Sequence, residues 1–108
     1  MSPELPDIVT RYFAAQNAHD IDAMTDCFAP DAQVRDEGQD HHGRAAIRSW
    51  IKETSEKYRV QVEPLELRSE EGLTAVVARV SGNFPGSPAI LTFRFGLADG
   101  GIATLAVN

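Results

Sequence analysis

The sequence predicts an α+β fold: three N-terminal helices packed in a strongly curved, mixed but mainly antiparallel sheet, a cone-shaped α+β barrel. Three observations carry this. Helical periodicity is confined to the first half of the chain, up to about Lys57. From Tyr58 onward the pattern alternates and is broken only by turn residues, so strands follow one another directly and pair antiparallel. Apolar parity also switches at Pro64, from Val60 and Val62 to Leu65 and Leu67, which marks the bulge or bend that a strongly curved sheet needs.

The first helix begins near Pro6, a residue tolerated in a first turn, with Asp7 complementing the positive helix end. Ile8, Val9, Tyr12, Phe13 and Gln16 share one face, and the helix stops around Asn17 to His19. Asp20 is a good N-cap for a second short helix with a stripe of Ile21, Met24, Cys27 and Phe28. Pro30 is expected to end it, because proline disfavours helical geometry in the residue before it. Ala32 to Asp36 alternates as a strand, and Gly38 to Gly43 reads as a polar loop. A third helix runs from about Arg44 to Lys57, with Ile47, Trp50, Ile51 and Thr54 on one side. Strands then cover Tyr58 to Arg68, Leu73 to Phe84, Ala89 to Gly96 and Ile102 to Val107. Turns fall at Glu70-Glu71-Gly72, Pro85-Gly86-Ser87-Pro88 and Asp99-Gly100-Gly101.

The 108 residues fit one domain, residues 1–108, with a core that needs no disulfide or metal staple. A formal net charge of -6 repels phosphate backbones and anionic membranes, so neither nucleic acid nor a membrane is an expected partner. The start, MSPELPDIV, lacks the basic and apolar regions of a signal peptide, and Cys27 is the single cysteine. Cytoplasmic residence is the expectation. There is no phosphate-binding glycine loop and no serine-nucleophile elbow. His41 and His42, near Asp36, Glu37 and Asp40, have no metal-binding spacing, so neither a metal nor a cofactor is implied.

Four features carry a family resemblance: Tyr12 on the first helix, HDIDAM (His19 to Met24), FAPDAQV (Phe28 to Val34) and HGRAAIRSW (His42 to Trp50). On these the chain resembles the nuclear transport factor 2-like superfamily, in its SnoaL-like and ketosteroid isomerase-like branch. The likeness is close from Arg11 to Trp50 and looser afterwards. It implies a cone with a pocket at its mouth, and homodimers packed through the outer sheet face. The activities it implies range over isomerases, cyclases, dehydratases, epoxide hydrolases and non-catalytic members.

The resemblance also implies roles. Tyr12 matches a tyrosine that donates to a developing oxyanion, Asp36 matches an aspartate that shuttles the proton, and Trp50 matches an aromatic lining the cavity. Steroid isomerases add a protonated acid on a later strand. Here that position falls at Leu91 or Thr92, neither of them an acid, although Thr92 has a hydroxyl to donate. Losing such a donor typically costs about 3 kcal/mol of transition-state stabilisation.

The residues themselves leave two readings open at most positions. Asp36 is either a base tuned by an apolar pocket or a strand-end carboxylate bonded to a loop amide or to Arg44. Tyr12 is either an oxyanion donor or a core aromatic whose hydroxyl meets Asp36 or another buried polar group. Phe13, Phe28, Trp50, Phe84, Phe93 and Phe95 line an apolar cavity or simply build the core, and His42 offers a polar contact at the mouth. Cys27 reads as an inert packed thiol. Phe93 and Phe95 share the inward parity, which turns Arg94 outward.

The expected function is a small-molecule-binding domain, an isomerase or cyclase acting without a cofactor on a small apolar carbonyl compound. The alternative is a non-catalytic module for ligand binding or dimerisation. An epoxide hydrolase needs two acids bracketing an arginine, with Arg79 or Arg94 as the partner of Asp36. For a homodimer, the outer face is expected to offer Val76, Ala78, Val80 and Ile90, flanked by Arg94.

Overall fold

A computed structural model describes residues 5–36 and 38–108. The opening Met1 to Glu4, and Glu37 of the suspected acidic cluster, lie outside the described residues. The elements follow in the order α1 (Asp7–Asn17), α2 (Ile21–Asp26), β1 (Phe28–Asp36), β2 (Gln39–His42), α3 (Arg44–Tyr58), β3 (Gln61–Glu70), β4 (Leu73–Ser81), β5 (Ala89–Ala98) and β6 (Gly101–Val107). The strands form one sheet in the order β2-β1-β6-β5-β4-β3. Only the β1–β6 pair is parallel, so the sheet is mixed and mainly antiparallel. It stays open between β2 and β3, so the cone is not a closed barrel, and α3 enters only after two strands.

Four sequence expectations change. Pro30 does not end α2, which stops at Asp26; it lies within β1, where pairing with β6 is interrupted between Phe28 and Gln33. A proline has no ladder hydrogen bond to lose at such an irregularity. The polar loop from Gly38 to Gly43 contains a strand, β2, paired Gln33 to His42 and Asp36 to Gln39. An edge strand of polar residues carries no hydrophobic alternation, so nothing in its composition announces it. Phe84 is not in β4, which ends at Ser81; it lies in the following turn, edge-on to Tyr58 at 6.1 Å.

The fourth change concerns β4. Val76, Ala78 and Val80 face inward: Val62 pairs with Val80 and Phe93 with Val76, and all belong to the core. The outer face instead carries Ala75 and Val77, opposite Arg94 and Thr92, with Ile90 56% exposed. Both faces of β4 are small and apolar, and the partner strand decides which one is buried. Leu65 is the extra residue of the bulge after Pro64, where the parity switch placed it.

Two inner rows cross the sheet. Val34, Leu105, Phe95 and Thr74 are successive partners, as are Asp36, Val107, Phe93, Val76 and Leu67. Asp36 therefore ends an otherwise apolar row. Gly96 is required where β5 crosses β6, because a Cβ there would run into the Thr104 hydroxyl.

Side chains close the seams. Asn17, at the end of α1, accepts from Val62 N at 2.7 Å and donates to Val62 O at 2.9 Å. Its amide thus takes the place of a strand beside the edge of β3, and His19 Nε2 meets Val60 O at 2.9 Å. Arg44, at the start of α3, donates twice to Phe28 O, at 2.9 and 2.7 Å. It is therefore engaged with backbone rather than with Asp36.

Candidate functional site

Tyr12 sits on the buried face of α1 and is wholly buried. Phe28, Phe13 and Phe95 surround its ring, with centroids at 5.5, 5.8 and 5.8 Å. Its hydroxyl is buried and has no hydrogen-bond partner. Burial pushes its pKa well above the ordinary tyrosine value, and the Cys27 thiol and Asp36 carboxyl nearby push the same way. The group is thus a neutral phenol with an unused O–H, not the partner of Asp36.

Asp36 lies half-buried at the end of β1, and its Oδ2 accepts from Trp50 Nε1 on α3 at 3.1 Å. The Trp50 indole stacks on His41 of β2, with centroids 5.8 Å apart and planes 29° from parallel. Thr54, one turn further on, donates to Trp50 O at 2.9 Å. These residues border a cleft of about 70 Å³ at the mouth of the cone, rimmed also by Gln39, Glu53, Lys57 and Tyr58. Lys57 Nζ stands 5.1 Å over the Tyr58 ring. The polar cleft is thus set apart from the buried Tyr12, which does not border it.

Phe13, Phe28, Phe93 and Phe95 are core residues, at most 3% exposed, and border neither the cleft nor the broader depression around His42. His42 is exposed and pairs with Gln33, whereas its neighbour His41 pairs with Val34 and stacks on Trp50. His42 belongs instead to a broader depression of about 400 Å³, together with Gln33, Arg35, Arg94 and Thr104. Phe84 borders neither concavity. Thr92 shares the outward parity of Arg94, and Leu91 shares that of Phe93, so β5 sends no hydroxyl or acid inward. Arg79 bonds Glu63 at 3.1 Å, and Arg94 bonds Glu70 and Asn108 at 3.0 and 2.7 Å, so neither reaches Asp36.

The SnoaL-like domain profile matches residues 9–105, nearly the whole chain. The chain belongs to the SnoaL-like family. A candidate polyketide cyclase from Sinorhizobium meliloti is 45% identical over 96% of this chain and 95% of its own, with a TM-score of 0.91. Two more distant structures share the fold. One is a protein with a ketosteroid isomerase-like fold from Catenulispora acidiphila, in complex with trimethylamine: 21% identical, 97% and 86% covered, TM-score 0.83. The other is SalBIII, an epoxide hydrolase/cyclase-like enzyme in pyran ring formation in the polyether salinomycin: 24% identical, 94% and 86% covered, TM-score 0.76. No curated protein matches the chain.

In this SnoaL-like domain the sequence missed the polar rim. Gln39 and His41 escaped with β2. Glu53 and Lys57 carry no signal of their own, whereas the sequence places Thr54 on the same side of α3 as Trp50, as their i to i+4 spacing requires. Among the described residues no group of three His, Cys, Asp or Glu gathers around a metal-sized position, and no helix is long and apolar enough to cross a membrane.

Proposed function

We propose that this SnoaL-like domain binds a small carbonyl compound and transfers a proton beside the carbonyl, in an isomerase or cyclase reaction. Asp36 is the general base and Tyr12 the donor to the developing oxyanion. One observation carries the reading: the Tyr12 hydroxyl is buried, unpartnered and held protonated in an aromatic shell near Asp36. A buried donor left without a partner costs about 1–3 kcal/mol, which a purely structural tyrosine has no reason to carry.

Trp50 holds one Asp36 oxygen and leaves Oδ1 for the substrate. Asp36 removes a proton from the carbon next to the carbonyl, and the electron pair moves onto the carbonyl oxygen, to which Tyr12 donates. Return of the proton to a different carbon gives isomerisation. Attack of the enolate carbon on a second carbonyl gives ring closure. The polyketide cyclase assignment of the 45%-identical relative supports this class.

The test is deuterium uptake at the α-carbons of small cyclic ketones in D2O. Asp36→Asn is expected to slow it by about 100-fold or more. An unchanged rate would remove Asp36 from the chemistry.

A second reading is a non-catalytic ligand-binding or dimerisation module. The absence of any inward donor from β5, where Leu91 stands beside Phe93, favours it. We place the dimer contact on the outer sheet face, around the exposed Ile90 with the half-buried Val77. A monomer in sedimentation at micromolar concentration counts against that contact.

A further inference from the structure

The cleft at the mouth of the cone is lined by more charge than a neutral carbonyl compound can use. β1 contributes Asp36, α3 contributes Glu53 and Lys57, and β2 adds Gln39 and the titratable His41. Trp50 and Tyr58 supply aromatic surface. Two carboxylates outnumber one ammonium, so the lining is negative while His41 is neutral. The formal net charge of -6 on the whole chain deepens that potential.

Lys57 does not neutralise either acid. Glu53 and Lys57 stand at i and i+4 on α3, in the order that favours a helix ion pair. The ion pairs among the described residues nevertheless all use arginines, and none takes up Asp36 or Glu53. The Lys57 ammonium lies instead 5.1 Å over the Tyr58 ring. Asp36 accepts from the Trp50 indole N–H, a neutral donor that leaves the carboxylate charge uncompensated. One concavity therefore combines two acids lacking a counter-ion with an aromatic face that already carries a cation.

These features sort the candidate ligands. An anion meets a negative lining. A metal ion needs several lone pairs, which ring faces do not offer, and no group of three His, Cys, Asp or Glu gathers for one among the described residues. A cation whose charge is spread over carbon and nitrogen uses both the acids and the rings.

We propose that the mouth cleft binds a small organic cation, an alkylammonium or amidinium group, with Asp36 and Glu53 as its counter-ions and Trp50 and Tyr58 as its aromatic walls. Lys57 is then a tethered stand-in that the ligand displaces from Tyr58. Its side chain is exposed and free to swing into solvent. The size agrees, because roughly 150 Å³ holds benzene and the cleft of about 70 Å³ takes a head group about half as large. Asp36 enters here as a charge and not as a base, so the inference stands apart from the proton-transfer reading. Where both hold, the carbonyl compound carries the cation.

The experiment titrates the protein at low salt with acetamidinium, acetamide and acetate, which share one heavy-atom framework and differ in charge. Binding is followed by fluorescence of Trp50, the single tryptophan, and by amide NMR. Acetamidinium is expected to bind about tenfold tighter than acetamide, and acetate more weakly than either. Glu53→Gln is expected to weaken acetamidinium about threefold or more. Lys57→Gln is expected to tighten it several-fold, because the internal competitor is gone. Both positions are exposed on a helix that tolerates glutamine, so the fold is kept, and circular dichroism checks this. Equal binding of the three probes, or binding of none, overturns the inference. So does a preference for acetate that Lys57→Gln abolishes, the result for an anion site built on the lysine. A preference for acetamidinium that survives both Glu53→Gln and Asp36→Asn also overturns it, because it then reflects only the acidity of the chain. Deuterium uptake into cyclohexanone, measured on the same protein, separates the two ideas. Cation preference without ketone exchange sinks the proton-transfer reading and leaves this one standing. Exchange without cation preference does the reverse.

Discussion

Gln16 and Asn17 are neighbours at the end of α1 and carry the same amide, yet their surroundings differ completely. Asn17 uses both amide atoms on Val62 of β3, and its backbone carbonyl accepts from Gln61 Nε2 at 3.0 Å. Gln16 leaves its Oε1 buried and unbonded, a turn away from an equally unbonded Tyr12. The first amide replaces a missing strand, so it belongs to the architecture. The second has no such role on β3, and its buried oxygen bonds to nothing. Polar groups that work against the core are where a fold departs from its own stability for function.

The largest expected effect breaks the architectural side. Asn17→Ala strands the N–H and C=O of Val62 beside the apolar side chains of α1. It should lower stability by about 2–3 kcal/mol. In a chain of this size that moves the thermal midpoint by on the order of 10–20 °C, readable by circular dichroism. A loss below about 0.5 kcal/mol would mean that water replaces the amide and that the contrast with Gln16 is only apparent.

The next effect has the opposite sign. Tyr12→Phe deletes a hydroxyl that bonds to nothing, so it should leave the neutral-pH stability unchanged or raise it by up to about 1 kcal/mol. Its clearer signature is alkaline. The folded-state pKa of Tyr12 is raised above the unfolded value of about 10, so its contribution is fully present below that pH. Above it the unfolded chain releases a proton that the folded chain keeps, and stability falls by up to about 1.4 kcal/mol per pH unit. Cys27 is raised in the same direction by burial and adds a similar decline from the thiol range upward. Denaturant unfolding of wild type and Tyr12→Phe between neutral pH and pH 11 isolates the tyrosine, because Cys27 is common to both. Identical alkaline slopes would place the phenol in contact with solvent.

This contrast was half legible in the sequence. Tyr12 and Gln16 share one predicted face, and Asp36 ends a strand whose alternation is plain, so that buried face and the strand that carries the acid could be read in advance. What escaped depends on partners distant in sequence. Asn17 is an ordinary helix-end residue until β3 arrives 45 positions later. His41 looks equivalent to His42 until β2 pairs with β1 and turns only one of them toward Trp50. In β4, LTAVVARVS is apolar on both parities, and Phe93 across the strand boundary decides that Val76 is core and Val77 is surface. Period and composition fix the elements, but pairing chooses the faces.

The smallest expected effect lies on that outer face. Arg79 bonds Glu63 at 3.1 Å with both side chains more than half exposed, at 53% and 61%. An ion pair in water gains little, so Arg79→Ala should change the stability of an isolated chain by less than about 0.5 kcal/mol. It is still a sharp probe, because Arg79 pairs across the sheet with Ile90, the most exposed large apolar residue. If a second copy covers Ile90, the same ion pair is desolvated and removing one partner costs several times more. The loss would then shrink as the protein is diluted into monomers, since the extra cost exists only in the associated form. A small loss that does not change with concentration leaves Ile90 on a free surface. It would leave the candidate site at Asp36, Trp50 and His41 as the surface to probe for function.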